Sequence, residues 1–265
     1  MRTTPQVSIV MPCYQQVQFV EEAVASVLDQ AEVAVELLVM DPGSTDGTRQ
    51  RLAALKEVYG SPLQLHYAPD KGQADAINRG MSLARGRILG WLNSDDRLRP
   101  GALSRVATAL QGHQPQWLYG KCGIIDQEGR AISPYIVWYK NFRGRRFSLY
   151  KLLTENFVPQ MATFWTQALW EQVGGVDIHR HLDMDYDLFL KFARITPPVV
   201  LPATLADFRV HKGAKSSVRT FAVMDEALET ARQHARDLGW RGRLALFLHR
   251  LYGLRTRAIY RLIKP

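Results

Sequence analysis

The chain has 265 residues, a hydrophobic content of 46%, a charged content of 22% and a formal net charge of +9. That length suits one sizeable core with at most a small appendage, and the composition is that of an ordinary globular protein. No apolar stretch approaches the ~20 residues of a membrane-spanning helix, and two cysteines, Cys13 and Cys122, are too few for a disulfide framework.

Met1 to Pro5 runs into a strand-like segment without a signal-peptide apolar region, so a reduced, cytoplasmic setting is expected. Both thiols read as small core hydrophobes. The first half alternates short apolar runs with helical patterns, the mark of βαβ units and a mostly parallel sheet. Strands are expected at Val7–Cys13, Val35–Met40, Leu63–Tyr67 and Arg87–Leu92. Helices are expected at Phe19–Leu28, from the Ser44-Thr45-Asp46 cap to about Tyr59, at Gln73–Ala84, and from Pro100 onward. Gln116–Asp126 and Ala131–Trp138 read as strands about a Glu128-Gly129 turn.

The second half is less regular. Phe157–Thr166 reads as a strand, Ala168–Val173 as a helix closed by Gly174-Gly175, and Asp183–Ala193 as a helix with apolar residues at helical spacing. Val199–Leu201 and Ala206–Val210 read as two strands, and everything from Val218 as helix. A basic shift and the end of strand signals set a boundary near 216, giving a domain over 1–215 and a helical tail over 216–265. Arg236, Arg243, Arg250, Arg257 and Lys264 recur every seven residues, opposite an arc from Leu244 to Leu262 that Arg255 interrupts. Such a helix either lies in a membrane interface or packs on the domain. A second basic cluster is Lys140, Arg143, Arg145 and Arg146. The tail lacks the interleaved aromatics of single-strand binders, so no nucleic acid partner is expected.

Four constellations carry chemistry. Asp41 leaves the second strand ahead of Pro42-Gly43-Ser44, where a carboxylate can accept from a base or ribose; a plain capped turn is the alternative. Lys71, in Asp70-Lys71-Gly72-Gln73, offers a cation to a diphosphate, with Asp75 and Asn78 following on a helix. The fourth strand ends in Asn93-Ser94-Asp95-Asp96, and bunched carboxylates at a sheet edge repel unless a cation sits among them. In Asp183-Met184-Asp185-Tyr186-Asp187 the first and last carboxylates share a helix face, leaving Asp185 free to enter a cleft as a general base. His211 is a candidate metal ligand or phosphate contact.

Taken together, these stretches resemble a family 2 glycosyltransferase with the GT-A fold. The matching runs are Val7 to Tyr14, Asp41 to Thr48, Asp70 to Asn78, Trp91 to Asp96, Val173 to Asp177 and Met184 to Lys191. The resemblance implies that Asp41 contacts the nucleotide base and that Pro12 and Tyr14 line its pocket. The family's DxD motif falls on Asn93-Ser94-Asp95, so Asp95 would bind Mn2+ or Mg2+, and Asp185 matches the usual catalytic base. Lys71, Asp75, Asn78, Asn93 and Ser94 join the expected nucleotide contacts, and His211 the expected metal ligands. The expected reaction is inverting transfer of one sugar from a nucleotide-diphosphate sugar, UDP- or dTDP-linked, to a saccharide or lipid-linked acceptor in surface polysaccharide or glycolipid synthesis. The expected location is cytoplasmic, peripheral on the inner membrane face if residues 240–265 bind lipid. Asn93 in place of Asp, Pro42 in place of Asp and Lys191 in place of Arg depart from the family pattern. The Gln-x-x-Arg-Trp motif of processive synthases is absent. The alternatives are a non-catalytic nucleotide-sugar binder, favoured by the altered DxD, and a nucleotidyltransferase on a related fold.

Overall fold

The first strand, β1 (Val7–Pro12), is buried along its whole length. It lies between β2 (Val35–Asp41) and β4 (Ile88–Trp91), parallel to both, and β2 carries β3 (Leu63–Tyr67) on its outer side. Strands apolar at nearly every position belong in a sheet covered on both faces. The computed structural model describes residues 4–30, 32–211, 213 and 220–263. Among these, one eight-stranded sheet runs in the order β3-β2-β1-β4-β7-β6-β8-β5. Its second half consists of β5 (Arg97–Leu98), β6 (Trp117–Ile125), β7 (Thr163–Thr166) and β8 (Val199–Arg209), with β7 antiparallel to both β4 and β6.

Alternation along β1 divides the core. Val7, Ile9 and Met11 point to one face, covered by α1 (Val20–Leu28), α2 (Thr48–Tyr59) and α4 (Ala102–Ala109). Val10 points to the other, where α3 (Gln73–Leu83), α6 (Leu149–Thr154), α7 (Gln167–Val173) and α8 (Met184–Ile195) pack around Trp117 and Trp165. Gly80 lets α3 approach the sheet: a Cβ there would stand 2.4 Å from Val10 Cγ1.

Several expected elements differ. The segment read as a strand at Ala131–Trp138 keeps only an isolated bridge, Ile125 to Ala131, and then forms α5 (Pro134–Gly144). Pro134 explains this, because its ring fits the first helical position and cannot donate to a ladder. In Phe157–Thr166 three irregular residues precede a 3-10 turn, Gln160–Ala162, and only the last four residues are strand. The two strands expected between 199 and 210 are one, β8, paired to β6 with register shifts around Lys121. The helix after Pro100 starts at Ala102.

The tail forms α9 (Thr220–Ala235) and α10 (Gly239–Ile263). Ala231, Ala235 and Ala245 are buried in the same core cluster as α6 and α8. The boundary expected at 215–216 lies outside the described residues. α10 turns Gly242, Ala245 and His249 inward, with His249 Nδ1 2.8 Å from the Leu153 carbonyl. Trp240, Leu244, Phe247, Leu248, Leu251 and Leu254 are exposed. At 100° per residue those six lie on the side opposite the packed one, so the apolar arc is not what holds α10 down. Its continuation past Arg257 lies outside the described side chains.

Candidate active site

Parallel register sets Pro12 beside Met40 and Val10 beside Trp91. The chain therefore leaves β1, β2 and β4 at one edge, with Cys13-Tyr14, Asp41 and Asn93-Ser94-Asp95 following one another there. This is the carboxyl edge at which open α/β sheets bind ligands. Ser94 Oγ, buried, donates to the Pro12 carbonyl at 3.2 Å and ties two of these loops together. Tyr14 stands 58% exposed at the rim.

Asp41 is buried, and its Oδ1 accepts from the backbone of Gly43 (2.7 Å) and Ser44 (2.8 Å) and from Arg49 Nε (3.1 Å). Its Oδ2 is buried with no partner among the described residues. An orphaned buried acceptor is costly, roughly 1–3 kcal/mol, unless a donor arrives from outside the chain. Arg49 also lies 4.7 Å over the Tyr67 ring, and Gln15 Oε1 accepts from the backbone of Thr45 and Asp46. Arg49 and Gln15 were not legible as site residues. Arg49 is the second residue of α2, and its sequence neighbourhood carries no motif beyond the turn itself.

The acidic loop after β4 resolves into distinct parts. Asn93 Oδ1 accepts from both Gln73 Nε2 and Trp91 Nε1, each at 2.8 Å. Its Nδ2 faces Asp96 Oδ2 (3.4 Å) and Gln160 Oε1 (3.3 Å). Asn93 is thus a connector whose oxygen is occupied. Asp96 is buried and accepts from the Arg209 backbone at 2.8 Å; burial and the neighbouring Asp95 carboxylate push its pKa well up. Asp95 is only half-buried, and its Oδ2 lies 3.1 Å from His211 Nε2. The structure brings the two expected metal ligands together across 116 residues of sequence. Arg209, buried, fixes this corner by donating to the carbonyls of Asp95 (2.8 Å), Asp126 and Gln127, and by pairing with Glu22. Its position two residues before His211 was the one available signal.

Hard divalent cations take one or two protein oxygens and complete their shell with substrate phosphates and water. Asp95 supplies one such oxygen and His211 Nε2 stands beside it as a nitrogen donor, whereas Asn93 and Asp96 are committed elsewhere. Among the described residues no cluster of three or more His, Cys, Asp or Glu forms a closed metal cage.

Lys71 is exposed and unpaired among the described residues, at the start of α3. Asp75 Oδ2 accepts the Lys71 backbone N–H at 3.1 Å, so Asp75 shapes the loop that presents this cation. Asn78 was expected among the nucleotide contacts, but both its polar groups are taken by the Val176 backbone, at 2.8 and 3.0 Å. Gly175 is needed beside it, since a Cβ there would come within 2.6 Å of Asn78 Oδ1 at a φ of +83°. Both thiols are pushed up to about 12 by burial, in keeping with structural cysteines.

The three carboxylates at the start of α8 have different surroundings. Asp183 is buried, hydrogen-bonded to Thr230 and 3.3 Å from Arg180 Nη1. Asp187 meets Lys191 Nζ (2.8 Å) and His234 Nε2 (2.8 Å); burial works against its charge, yet these hydrogen bonds bring its pKa to about 2. Asp185 has no side-chain partner among the described residues and accepts only from the Tyr186 backbone, at 2.8 Å. Burial raises its pKa to about 6, with the Lys140 charge pulling the other way.

A family model for glycosyl transferase family 2 matches residues 8–172. The chain belongs to this family. Chondroitin synthase from Pasteurella multocida is 29% identical over 194 residues, covering 72% of this chain and 19% of that protein. An uncharacterized glycosyltransferase of Mycobacterium tuberculosis is 27% identical over 214 residues, covering 78% and 76%. The chain spans about a fifth of the length of the Pasteurella synthases it matches. Among solved structures, TarS 1-349 of S. aureus in complex with UDP-GlcNAc superposes with a TM-score of 0.64 at 18% identity, covering 86% of this chain and 66% of that one. A mannosyltransferase of Pyrobaculum calidifontis in complex with GDP-Man and Mn2+ gives 0.69 at 18% identity, over 97% and 76%. These likenesses establish the GT-A fold.

Proposed function

We propose that this glycosyltransferase moves one sugar from a UDP- or dTDP-sugar to an acceptor hydroxyl in a single inverting displacement, with Asp185 as general base. The observation that carries the reading is the contrast at α8. Two of three neighbouring carboxylates are locked in ion pairs, while Asp185 is free and holds a pKa of about 6, suited to accepting a proton near neutrality. Asp185 takes the acceptor O–H proton, the acceptor oxygen bonds to the anomeric carbon from the far side, and the bond to the diphosphate breaks with its electron pair on the leaving group.

On the donor side, the lone unpaired acceptor Asp41 Oδ2 suits the single ring N–H of uracil or thymine better than the paired donors of guanine. Pro12, Tyr14 and Ser94 would flank the base, and Lys71 would face the diphosphate. Asp95 and His211 would hold Mn2+ or Mg2+, which when bound neutralises charge on the departing diphosphate. The solved relatives carry UDP-GlcNAc or GDP-Man with Mn2+, which supports a nucleotide-sugar donor and a divalent ion. The names of the curated relatives, a chondroitin synthase and a hyaluronan synthase, support a saccharide acceptor in polysaccharide synthesis.

No helix among the described residues is long and apolar enough to cross a membrane. The exposed arc of α10, flanked by Arg241, Arg243 and Arg250, supports peripheral contact with an anionic lipid surface. The donor reading is tested by thermal shift across a panel of nucleotide sugars with Mn2+, since a ligand bound only by the folded state raises Tm by mass action. UDP- or dTDP-sugars should give the largest shift. Asp95→Ala and His211→Ala should each lose the part that depends on Mn2+. Equal shifts with and without metal in the unaltered protein would remove the cation from the scheme.

A further inference from the structure

The basic cluster that the sequence sets apart between 140 and 146 is divided by the fold. Arg143 is occupied: its Nε lies 3.1 Å from Glu155 Oε2, and its guanidinium sits over the Tyr252 ring. Lys140 and Arg145 instead line a cavity of about 540 Å³ between α5, β6 and β8, where Lys121 joins them. A volume of that order is typical of ligand sites. No carboxylate lines it, and none of the three cations pairs with one among the described residues. Three like charges around a concavity repel one another, and an anion placed among them offsets that repulsion.

Aromatic side chains form part of the remaining lining, beside Val200 to Pro202 of β8. Trp138 and Phe142 stack with centroids 5.5 Å apart and 14° between their planes, yet stand 65% and 53% exposed. Tyr119 forms part of the floor, fixed by its hydroxyl donating to the Gly144 carbonyl at 2.7 Å. Flat apolar faces beside unpaired cations suit a sugar ring that carries a negative group.

One wall of this cavity adjoins the acidic loop after β4. Pro159 on its wall precedes Gln160, whose Nε2 donates to the Trp91 carbonyl at 2.6 Å and whose Oε1 faces Asn93. Lys140, on its lining, is also among the charges that favour the ionised form of Asp185. We propose that the α5 cavity is the acceptor site, and that the acceptor is an anionic saccharide whose carboxylate or phosphate is held by Lys121, Lys140 and Arg145 while a sugar ring rests on Trp138. This rests on the glycosyl-transfer reading above and names its acceptor class.

The test is direct binding, followed by calorimetry, with four soluble probes: a uronate-containing tetrasaccharide, a glycerol-phosphate oligomer, a neutral tetrasaccharide and inorganic phosphate. One charged oligomer should bind at least ten-fold more tightly than the neutral one, and salt should weaken it; which oligomer binds identifies the anion as carboxylate or phosphate. Arg145→Glu and Lys121→Glu should each weaken binding about ten-fold, with Trp138→Ala also weaker. Arg145→Gln and Lys121→Gln provide milder changes should a reversal disturb folding, which the melting curve reports. The nucleotide-sugar shift in Tm should be the same in every variant. Equal binding of charged and neutral oligomers, wild-type affinity in the variants, or no binding by any probe while the nucleotide-sugar shift is intact would each overturn the assignment. Probe binding that persists in a protein showing no nucleotide-sugar shift supports the cavity and counts against the donor reading alone.

Discussion

Asp185→Asn separates chemistry from stability. The burial that makes Asp185 a useful base disfavours its charged form, raising its pKa from 3.8 to about 6. Between those values the folded state binds more protons than the unfolded state, so stability falls as pH rises through that window and stays low above it. At 1.36 kcal/mol per unit the two-unit shift corresponds to about 3 kcal/mol. Asparagine keeps the oxygen that accepts the Tyr186 N–H but carries no charge. The variant should therefore be about as stable as the wild type at pH 4 and more stable by up to ~3 kcal/mol at pH 7–8, which is several degrees in Tm for a chain of this size. Turnover should fall by about 10²–10⁴, the usual contribution of a general base, while nucleotide-sugar binding is retained. In the wild type, kcat should rise with pH through about 6. Melting curves at pH 4 to 8 together with initial transfer rates make the check. If Asp185→Asn melts in parallel with the wild type at every pH, or transfers sugar at wild-type rate, the assignment of Asp185 is wrong.

Three further outcomes follow from the packing. Asn93→Asp recreates the family's aspartate, but it puts a carboxylate oxygen against Asp96 and Gln160 where a donor now sits. It should cost about 1–3 kcal/mol in a denaturant titration and give no tighter Mn2+ binding; a gain in metal affinity would show that the oxygen of residue 93 is available after all. On α10, Leu244→Ser with Phe247→Ser and Leu251→Ser should leave Tm within a degree or two and abolish co-sedimentation with vesicles rich in phosphatidylglycerol. Ala245→Leu, on the packed side, should instead lower stability by about 1–3 kcal/mol. Unchanged vesicle binding by the triple variant would assign the exposed arc no lipid role.

The residue order of the first half was a good guide because its elements are local. Strands β1 to β4 and helices α1 to α3 follow from apolar periodicity, and the strand ends carried their polar groups in plain view: Asp41 as the last residue of β2, Asn93 to Asp95 after β4. One misreading came where a single residue outweighed a periodic pattern. Pro134 turned an apparent strand into α5, and that helix forms one wall of the cavity.

Other features were decided by partners far away along the chain. Sequence offered three carboxylates at 183, 185 and 187; Thr230 and His234, over 40 residues downstream, occupy the outer two and leave Asp185 free. The amide of Asn93 is engaged by Gln73 and Gln160, and Asp95 meets His211 only because β8 returns to the sheet beside β5. The heptad of arginines on the tail fixed that α10 is amphipathic. Which side faces inward was set by steric fit, since Gly242 and Ala245 allow close contact with the core and the bulky arc does not. Local pattern thus determines which elements form and what they carry to the sheet edge; the ionisation, pairing and exposure of those groups depend on neighbours that only the folded chain supplies.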